Sequence, residues 1–414
     1  MRQFQDTSPM ILQKILRLAT FAILISACSA PTPTAPPVTQ ARSAATSGFE
    51  SGGPLVFVGA YTSGPGNEER SDGIFVYRMN LATGALSLLS KVGGPPNPSY
   101  LGVESSGRYL LAVSEWGQPG VGVSSYAIDA KNGTLALINS QPVGSDGPAY
   151  VTVDPLSKWV VTANYAGGSV TVLPLGEDGR LGAYTSLVKH QGSGPNKARQ
   201  EAPHAHSALI LGNRMVLAAD LGIDRVMLYD LDYDKGTLTP SSIPSIDMKP
   251  GSGPRHMAYF EEGRTLYVVN ELSSTLSVFQ NNAGTFKELQ TVSLLPADFQ
   301  GKNTSADVHI ASFGEHDGAY LYASNRGHDS LAIFSIDQDT GKLTLVGHQP
   351  TEGRTPRNFA IDPTGNFLLV ANQDSGAIVT FRIDRKTGGL SPTGQVTKLA
   401  MPVCIKFGVY ATLP

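Results

Sequence analysis

An all-β, seven-bladed β-propeller is the fold predicted for this chain, and three observations carry the prediction. Seven times between Pro98 and Pro402 one unit recurs: a Pro-containing turn, an apolar run, a small polar turn, a second apolar run and two further strand-like stretches. Its starts are Pro98, Pro148, Pro203, Pro254, Ala306, Pro356 and Pro402, about 46 to 55 residues apart, the range of four-stranded propeller blades. The apolar runs are short, rich in Val, Tyr and Leu, and divided by Gly, Asp and Asn turns, which excludes stacked helical repeats.

The second run of each unit is its clearest mark. Leu111-Ala112-Val113-Ser114-Glu115, Val160 to Asn164, Leu217 to Asp220, Tyr267 to Glu271, Tyr322 to Arg326 and Leu369 to Gln373 read as versions of one strand that ends in a polar pair. Ahead of them, Pro54 to Tyr61, Gly73 to Tyr77 and Leu86 to Leu89 supply three strands with no innermost strand before them. The tail from Met401 to Tyr410 supplies one strand. Pairing the tail with the first segment completes a seventh blade from both chain ends and leaves no inner edge unpaired.

Composition agrees with a turn-rich all-β chain: only 16% of its 414 residues are charged and 45 are Gly. A propeller grows by repetition, so this length requires no second core. The formal net charge is −3 and no Lys or Arg run follows the leader, which argues against a nucleic-acid partner.

The N-terminus reads separately. Lys14 and Arg17 precede an apolar stretch, Leu18 to Ile25, long enough for a signal sequence and too short to span a bilayer. It ends in Ile25-Ser26-Ala27-Cys28, which resembles a bacterial lipobox, so residues 1–28 are expected to be a lipoprotein-type signal with Cys28 acylated. Met10 gives a more typical leader than Met1. The alternative is an ordinary secretory signal in which Cys28 has no special part. Residues 29–53, rich in Pro, Thr, Ala and Ser, read as a flexible tether, and 54–414 as the propeller. The expected setting is an exported domain held by lipid in the periplasm or at the cell surface. Cys404, in an apolar stretch, is expected to be a buried small hydrophobe.

Strands in a blade alternate in direction, so first-strand starts and second-strand ends share one face of the disc. The starts carry His204 and His206, Arg255 and His256, Asp307 and His309, and Arg357; the ends carry Glu115, Asn164 and Tyr165, Asp220, Asn270 and Glu271, Asn325 and Arg326, and Asn372 and Gln373. All are expected to ring one mouth of the central channel. His, Arg and Glu gather in the units begun by Pro203, Pro254, Ala306 and Pro356, and buried charges on one side of a repeat suit a charged or strongly polar ligand. Plainer readings exist. His204 and His206 can cap the mouth through backbone carbonyls, Asp307 and His309 can pair with each other, and Arg255 with Glu271 can tie strands within a blade. The Asp154-Pro155 and Asp362-Pro363 pairs are turn chemistry. His204, His206, His256, His309 and Asp307 hold enough donors for a zinc-like site, although residues from separate blades carry no diagnostic spacing.

Several strings in order resemble the seven-bladed propeller lactonase family, which includes bacterial 6-phosphogluconolactonase and the fungal carboxy-cis,cis-muconate cyclizing enzyme. They are Gly194-Pro195-Asn196 with Arg199-Gln200, Pro203-His204-Ala205-His206-Ser207, Gly253-Pro254-Arg255-His256, Val269-Asn270-Glu271-Leu272, Ser305-Ala306-Asp307-Val308-His309, Ala323-Ser324-Asn325-Arg326-Gly327 and Pro356-Arg357-Asn358-Phe359. The resemblance implies a working set of a His, Arg255, Glu271 and Arg326, with His204 and His206 both candidates for the histidine. Substrate contacts are expected from His206, His256, Asp307, His309, Arg357 and Gln373.

Lactone opening needs an activated water, donors for the tetrahedral oxyanion and a proton for the departing alkoxide. The expectation is His204 first as general base, Glu271 orienting it or shuttling the proton, and Arg255 and Arg326 holding the anion. The small-molecule substrate is a sugar-type lactone, and hydrolysis calls for no cofactor and no metal. A lipoprotein leader shifts the expected substrate toward sugar lactones outside the cytoplasm. Two other functions fit the same mouth: a non-catalytic surface propeller binding a saccharide or protein, and a cycloisomerase acting on a dicarboxylate.

Overall fold

The computed structural model describes residues 53–63, 72–116, 122–212, 214–314 and 318–408. Cys28 and residues 29–52 of the expected tether lie outside these. The described residues form seven antiparallel four-stranded sheets, the blades of a propeller. Blade 1 takes its innermost strand from the tail, Pro402–Phe407, followed outward by Leu55–Ala60, Ile74–Met79 and Leu86–Val92. Blades 2 to 7 run outward in chain order from the inner strands Leu101–Val103, Pro148–Val153, Ala205–Leu211, Pro254–Phe260, Thr304–Ser312 and Pro356–Ile361. Each inner strand packs against the next, and the tail strand sits between those of blades 7 and 2, closing the ring.

The tail is tied on three sides. It pairs with Leu55–Ala60 from Val56↔Phe407 to Ala60↔Pro402. On one flank Ile405 N donates to Asn358 Oδ1 of blade 7 at 2.6 Å, and on the other Leu101 N of blade 2 donates to Cys404 Sγ at 3.3 Å. Cys404 is fully buried, and burial raises its thiol to about 11, so it stays protonated and packs as a small hydrophobe.

Burial follows radius. The second strands Trp159–Asn164, Thr265–Asn270 and Phe367–Asn372 are buried along their whole length, because a neighbouring blade covers each face. An outer strand such as Leu390–Lys398 alternates between exposed and covered residues. Tyrosines add polar ties between adjacent blades: Tyr109, Tyr267 and Tyr322 donate their hydroxyls to Glu177 O, Gly341 O and Gly388 O at 2.9, 2.8 and 2.9 Å. Asp154 and Asp362 accept the backbone N–H groups of Lys158 and Phe367 at 2.6 Å each, as turn-forming carboxylates do.

Ile405 lies fully buried in a cluster with Val56, Val58 and Ile378, which joins the two chain ends to blade 7. Ile405→Ala is expected to cost about 2–5 kcal/mol by leaving a cavity, read as a lower urea midpoint of the whole domain.

Candidate active site at one mouth of the channel

The second strands end in two kinds of residue. One turns into the protein, bonding within its blade or to the connection from the preceding blade. Asn164 Nδ2 donates to Ser169 Oγ and Thr171 Oγ1 at 3.0 and 2.9 Å, and Asn270 Nδ2 to Thr275 Oγ1 and Ser277 Oγ at 3.0 Å each. Asn325 Nδ2 and Asn372 Nδ2 donate to Leu294 O and Thr351 O, while Asp220 accepts the backbone N–H groups of His204 and Gly222. These residues were expected at the mouth and are blade ties instead, because a buried amide or carboxylate must be paired. The following residue is the one that reaches the channel. Tyr61, Glu115, Tyr165, Glu271, Arg326 and Gln373, one from each of six blades, line a cavity of about 280 Å³ with Arg199, His206, Arg357 and the exposed Trp116. The matching residue of blade 4 is the buried Leu221.

The inner strands aim their side chains by breaking register. Pairing skips His206 between Ala205 and Ser207, Arg255 and His256 between Pro254 and Met257, Ala306 and Asp307 between Ser305 and Val308, and Arg357 between Pro356 and Asn358. An extra residue on one strand bends it and turns side chains out of the normal alternation. Two glycines allow the backbone to turn here. Gly253, before Pro254-Arg255, has φ +65° and a Cβ would lie 2.5 Å from Leu272 Cγ; Gly327, after Arg326, has φ +118° and a Cβ would lie 2.2 Å from Lys302 O.

Glu271 is the electrostatic centre. Its Oε1 accepts from Arg199 Nη2 at 2.6 Å, and its Oε2 lies 3.1 Å from Arg326 Nη2 and 3.0 Å from Arg255 Nε. Burial would raise this carboxyl, but Arg326, Arg255 and Arg199 outweigh it and hold it at about 2. Arg255 is 1% exposed and lies below the cavity, where its Nη1 donates to Ala306 O at 2.6 Å; burial, then Arg326 and Arg357, push it down. A second pair crosses the opening: Arg357 Nη2 is 3.7 Å from Glu115 Oε2, which also accepts from Tyr61 at 2.8 Å. Four guanidiniums thus face two carboxylates.

The expected site residues separate by depth. Glu271, Arg326, His206, Arg357 and Gln373 line the cavity. Arg255 and His256 lie beneath it, lining a smaller cavity that His206 and Arg357 share. Deeper still, Asp307 accepts from His256 Nδ1 at 2.7 Å and from Asn358 at 2.5 Å, and pairs with His309 Nε2 at 3.0 Å. Burial would raise Asp307, yet His309 and His256 hold it well below the usual carboxylate range. His204 does not line the cavity, contrary to its place first among the candidate bases. Its Nδ1 is 3.0 Å from Tyr165 O, its Nε2 is 3.1 Å from Glu201, and its ring stacks on Tyr165, so it caps the blade as in the plainer reading. Nor does Glu271 orient it. His206, two residues on, is the cavity histidine: burial first, then Arg255, His256 and Arg357, drive its imidazole well below the ordinary value, leaving it neutral. Among the described residues no three His, Cys, Asp or Glu side chains are grouped to hold a metal ion. Arg199 was not expected here; it comes from the connection between blades 3 and 4, which Gln200 pins by donating to Leu221 O and Asp224 Oδ1 at 2.9 and 2.8 Å.

Removing one partner of a buried ion cluster strands the others. Glu271→Gln is expected to cost about 3–5 kcal/mol at pH 7, measured as a shift in urea midpoint. Because the folded-state value is depressed from 4.5, the carboxylate's contribution is complete above about 4.5 and lost as pH falls through about 2. The gap between wild type and variant should therefore close across that window.

Residues 55–407 match a family described as lactonase, 7-bladed β-propeller. A 6-phosphogluconolactonase of Bacillus subtilis (strain 168) is 38% identical over 357 residues, spanning 85% of this chain and 97% of its own. One from Formosa agariphila is 37% identical over 345 residues, spanning 82% and 95%. The solved structure of a periplasmic gluconolactonase from Pseudomonas aeruginosa superposes with a TM-score of 0.79 at 33% identity, covering 86% of this chain and 99% of that one. With a shared ring architecture and matches of this extent, the chain belongs to the seven-bladed β-propeller lactonase family.

Proposed function

We propose that the chain opens a sugar lactone to its hydroxy acid in the cavity ringed by Tyr61, Glu115, Tyr165, Glu271, Arg326 and Gln373. One observation carries this reading: a buried neutral histidine, His206, shares a cavity with a carboxylate clamped by three arginines. His206 takes a proton from the attacking water and returns it to the departing ring oxygen. Arg326 and Arg357, mostly buried, offer guanidinium donors to the oxyanion, and Arg199 at the rim adds a third. Glu271, held at about 2, stays ionised near neutral pH and is too weak a base to carry the proton; it fixes the arginines from which the substrate's charge is read. Arg255, beneath the floor, holds Glu271 in place.

The excess of guanidinium over carboxylate supports a substrate or product that bears negative charge. Relatives named 6-phosphogluconolactonase and one named periplasmic gluconolactonase support sugar lactones as the class. Acid release from 6-phosphoglucono-δ-lactone and glucono-δ-lactone, corrected for spontaneous opening, is the test. His206→Ala and Arg326→Ala are each expected to lower kcat/KM by about 10²-fold or more. A wild type no faster than Arg326→Ala would remove the lactonase reading.

The same proposal places the domain outside the cytoplasmic membrane on an acylated Cys28, supported by the leader and by the periplasmic relative. Labelled palmitate should enter the wild-type chain in a bacterial host and be absent from Cys28→Ser.

A further inference from the structure

Beneath the substrate cavity lies a second one of about 10 Å³, whose walls include Ser99, Tyr100, His206, Arg255 and His256. That volume holds about one water. Ser99 Oγ, His206 Nδ1 and His256 Nε2, all on residues of this wall, are buried without a hydrogen-bond partner. Buried polar atoms are seldom left unpaired, and three around a space of one water's size call for a common partner. His206 belongs to both cavities and so joins them. On the far side, His256 Nδ1 lies 2.7 Å from Asp307 Oδ1. Since Asp307 is an acceptor, Nδ1 carries the hydrogen and His256 Nε2 is left with its lone pair.

We propose that Asp307, His256 and one water in the small cavity form a proton relay behind His206, serving the lactone hydrolysis proposed above. As the hydrolytic water forms its bond to the carbonyl carbon, its proton passes to His206 Nε2. The Nδ1 proton of His206 moves to the relay water, which gives one of its own to His256 Nε2. His256 becomes an imidazolium against the Asp307 carboxylate, and His206 stays neutral. When the ring C–O bond breaks, His206 Nε2 protonates the departing oxygen, and the relay runs back to restore the proton on Nδ1. Burial holds the His256 imidazole down to about 3, so a charge there is transient, and what favours it over His206 is the carboxylate beside it. A charge on His206 would face Arg255, His256 and Arg357 with no carboxylate against it. A charge on His256 also faces Arg255 and Lys406, but it lies against Asp307, with the neutral Tyr100 and Tyr150 rings 5.6 and 5.4 Å away.

The relay makes Asp307 and His256 positioning residues, tested on the full chain by steady-state kinetics in mixtures of light and heavy water. Asp307→Asn and His256→Gln are each expected to lower kcat about 100-fold with KM changed by no more than about twofold. The dependence of kcat on deuterium fraction, curved in wild type because several protons move together, should become linear in both. Either variant retaining kcat within about threefold, or losing kcat with the curvature intact, overturns the relay. Should a variant fail to fold, ¹⁵N signals of the wild-type imidazoles decide: His256 protonated at Nδ1 with a hydrogen-bonded Nε2 is expected, and protonation at Nε2 overturns the proposal. A wild type inactive on both sugar lactones overturns the lactonase reading instead, and the ¹⁵N signals still judge the relay.

Discussion

The ring of sheets is closed by a blade built from both ends of the chain, and Pro402–Phe407 supplies its inner strand, so Leu55–Ala60 is left with no unpaired inner edge. The tail strand is bonded to Leu55–Ala60, to Asn358 of blade 7 and to Leu101 of blade 2. Closure also brings chemistry together. Tyr61 follows the strand that the tail completes, Glu115 lies in blade 2 and Arg357 in blade 7, so the Tyr61–Glu115–Arg357 contact exists only across the seam.

Opposite that seam, Glu271 organises the remaining charge. Three guanidiniums around a 3% exposed carboxylate would repel one another without it. The result is a preset cationic wall whose reorganisation is already complete before a ligand arrives, the condition under which fixed charges stabilise a developing anion best.

The propeller was legible in the sequence because the period of its second strands, from Val160-Val161-Thr162-Ala163-Asn164 to Leu369-Val370-Ala371-Asn372, survives substitution, and because counting strands leaves the tail with one place to go. The site was legible as a set of positions and less so as orientations. Glu271, Arg326, Arg357 and Gln373 arrive where the alternation of strand direction puts them. The choice of His206 over His204 depends on a break in strand pairing, which leaves no mark in composition. The asparagines next to the ring turned inward because each amide finds hydroxyl partners in its own blade or a carbonyl in the connection from the blade before it. Arg199 was missed because it comes from a connection outside the repeat, and Tyr61 because its strand precedes the first recognisable unit. The Arg199-Gln200 string did stand among the stretches that resemble the family, so its signal lay in that resemblance and not in the repeat.

The ring of single residues, one from each of six blades, sets selectivity beside the scaffold. In five blades an Asn or Asp at the end of the second strand is bonded inside the protein, while in six the adjoining residue lines the channel mouth. Evolution can therefore retune what this disc accepts most easily at a sector such as Gln373, which pairs with its neighbour Asp374 at the exposed rim, and least easily at Glu271, whose loss strands three arginines.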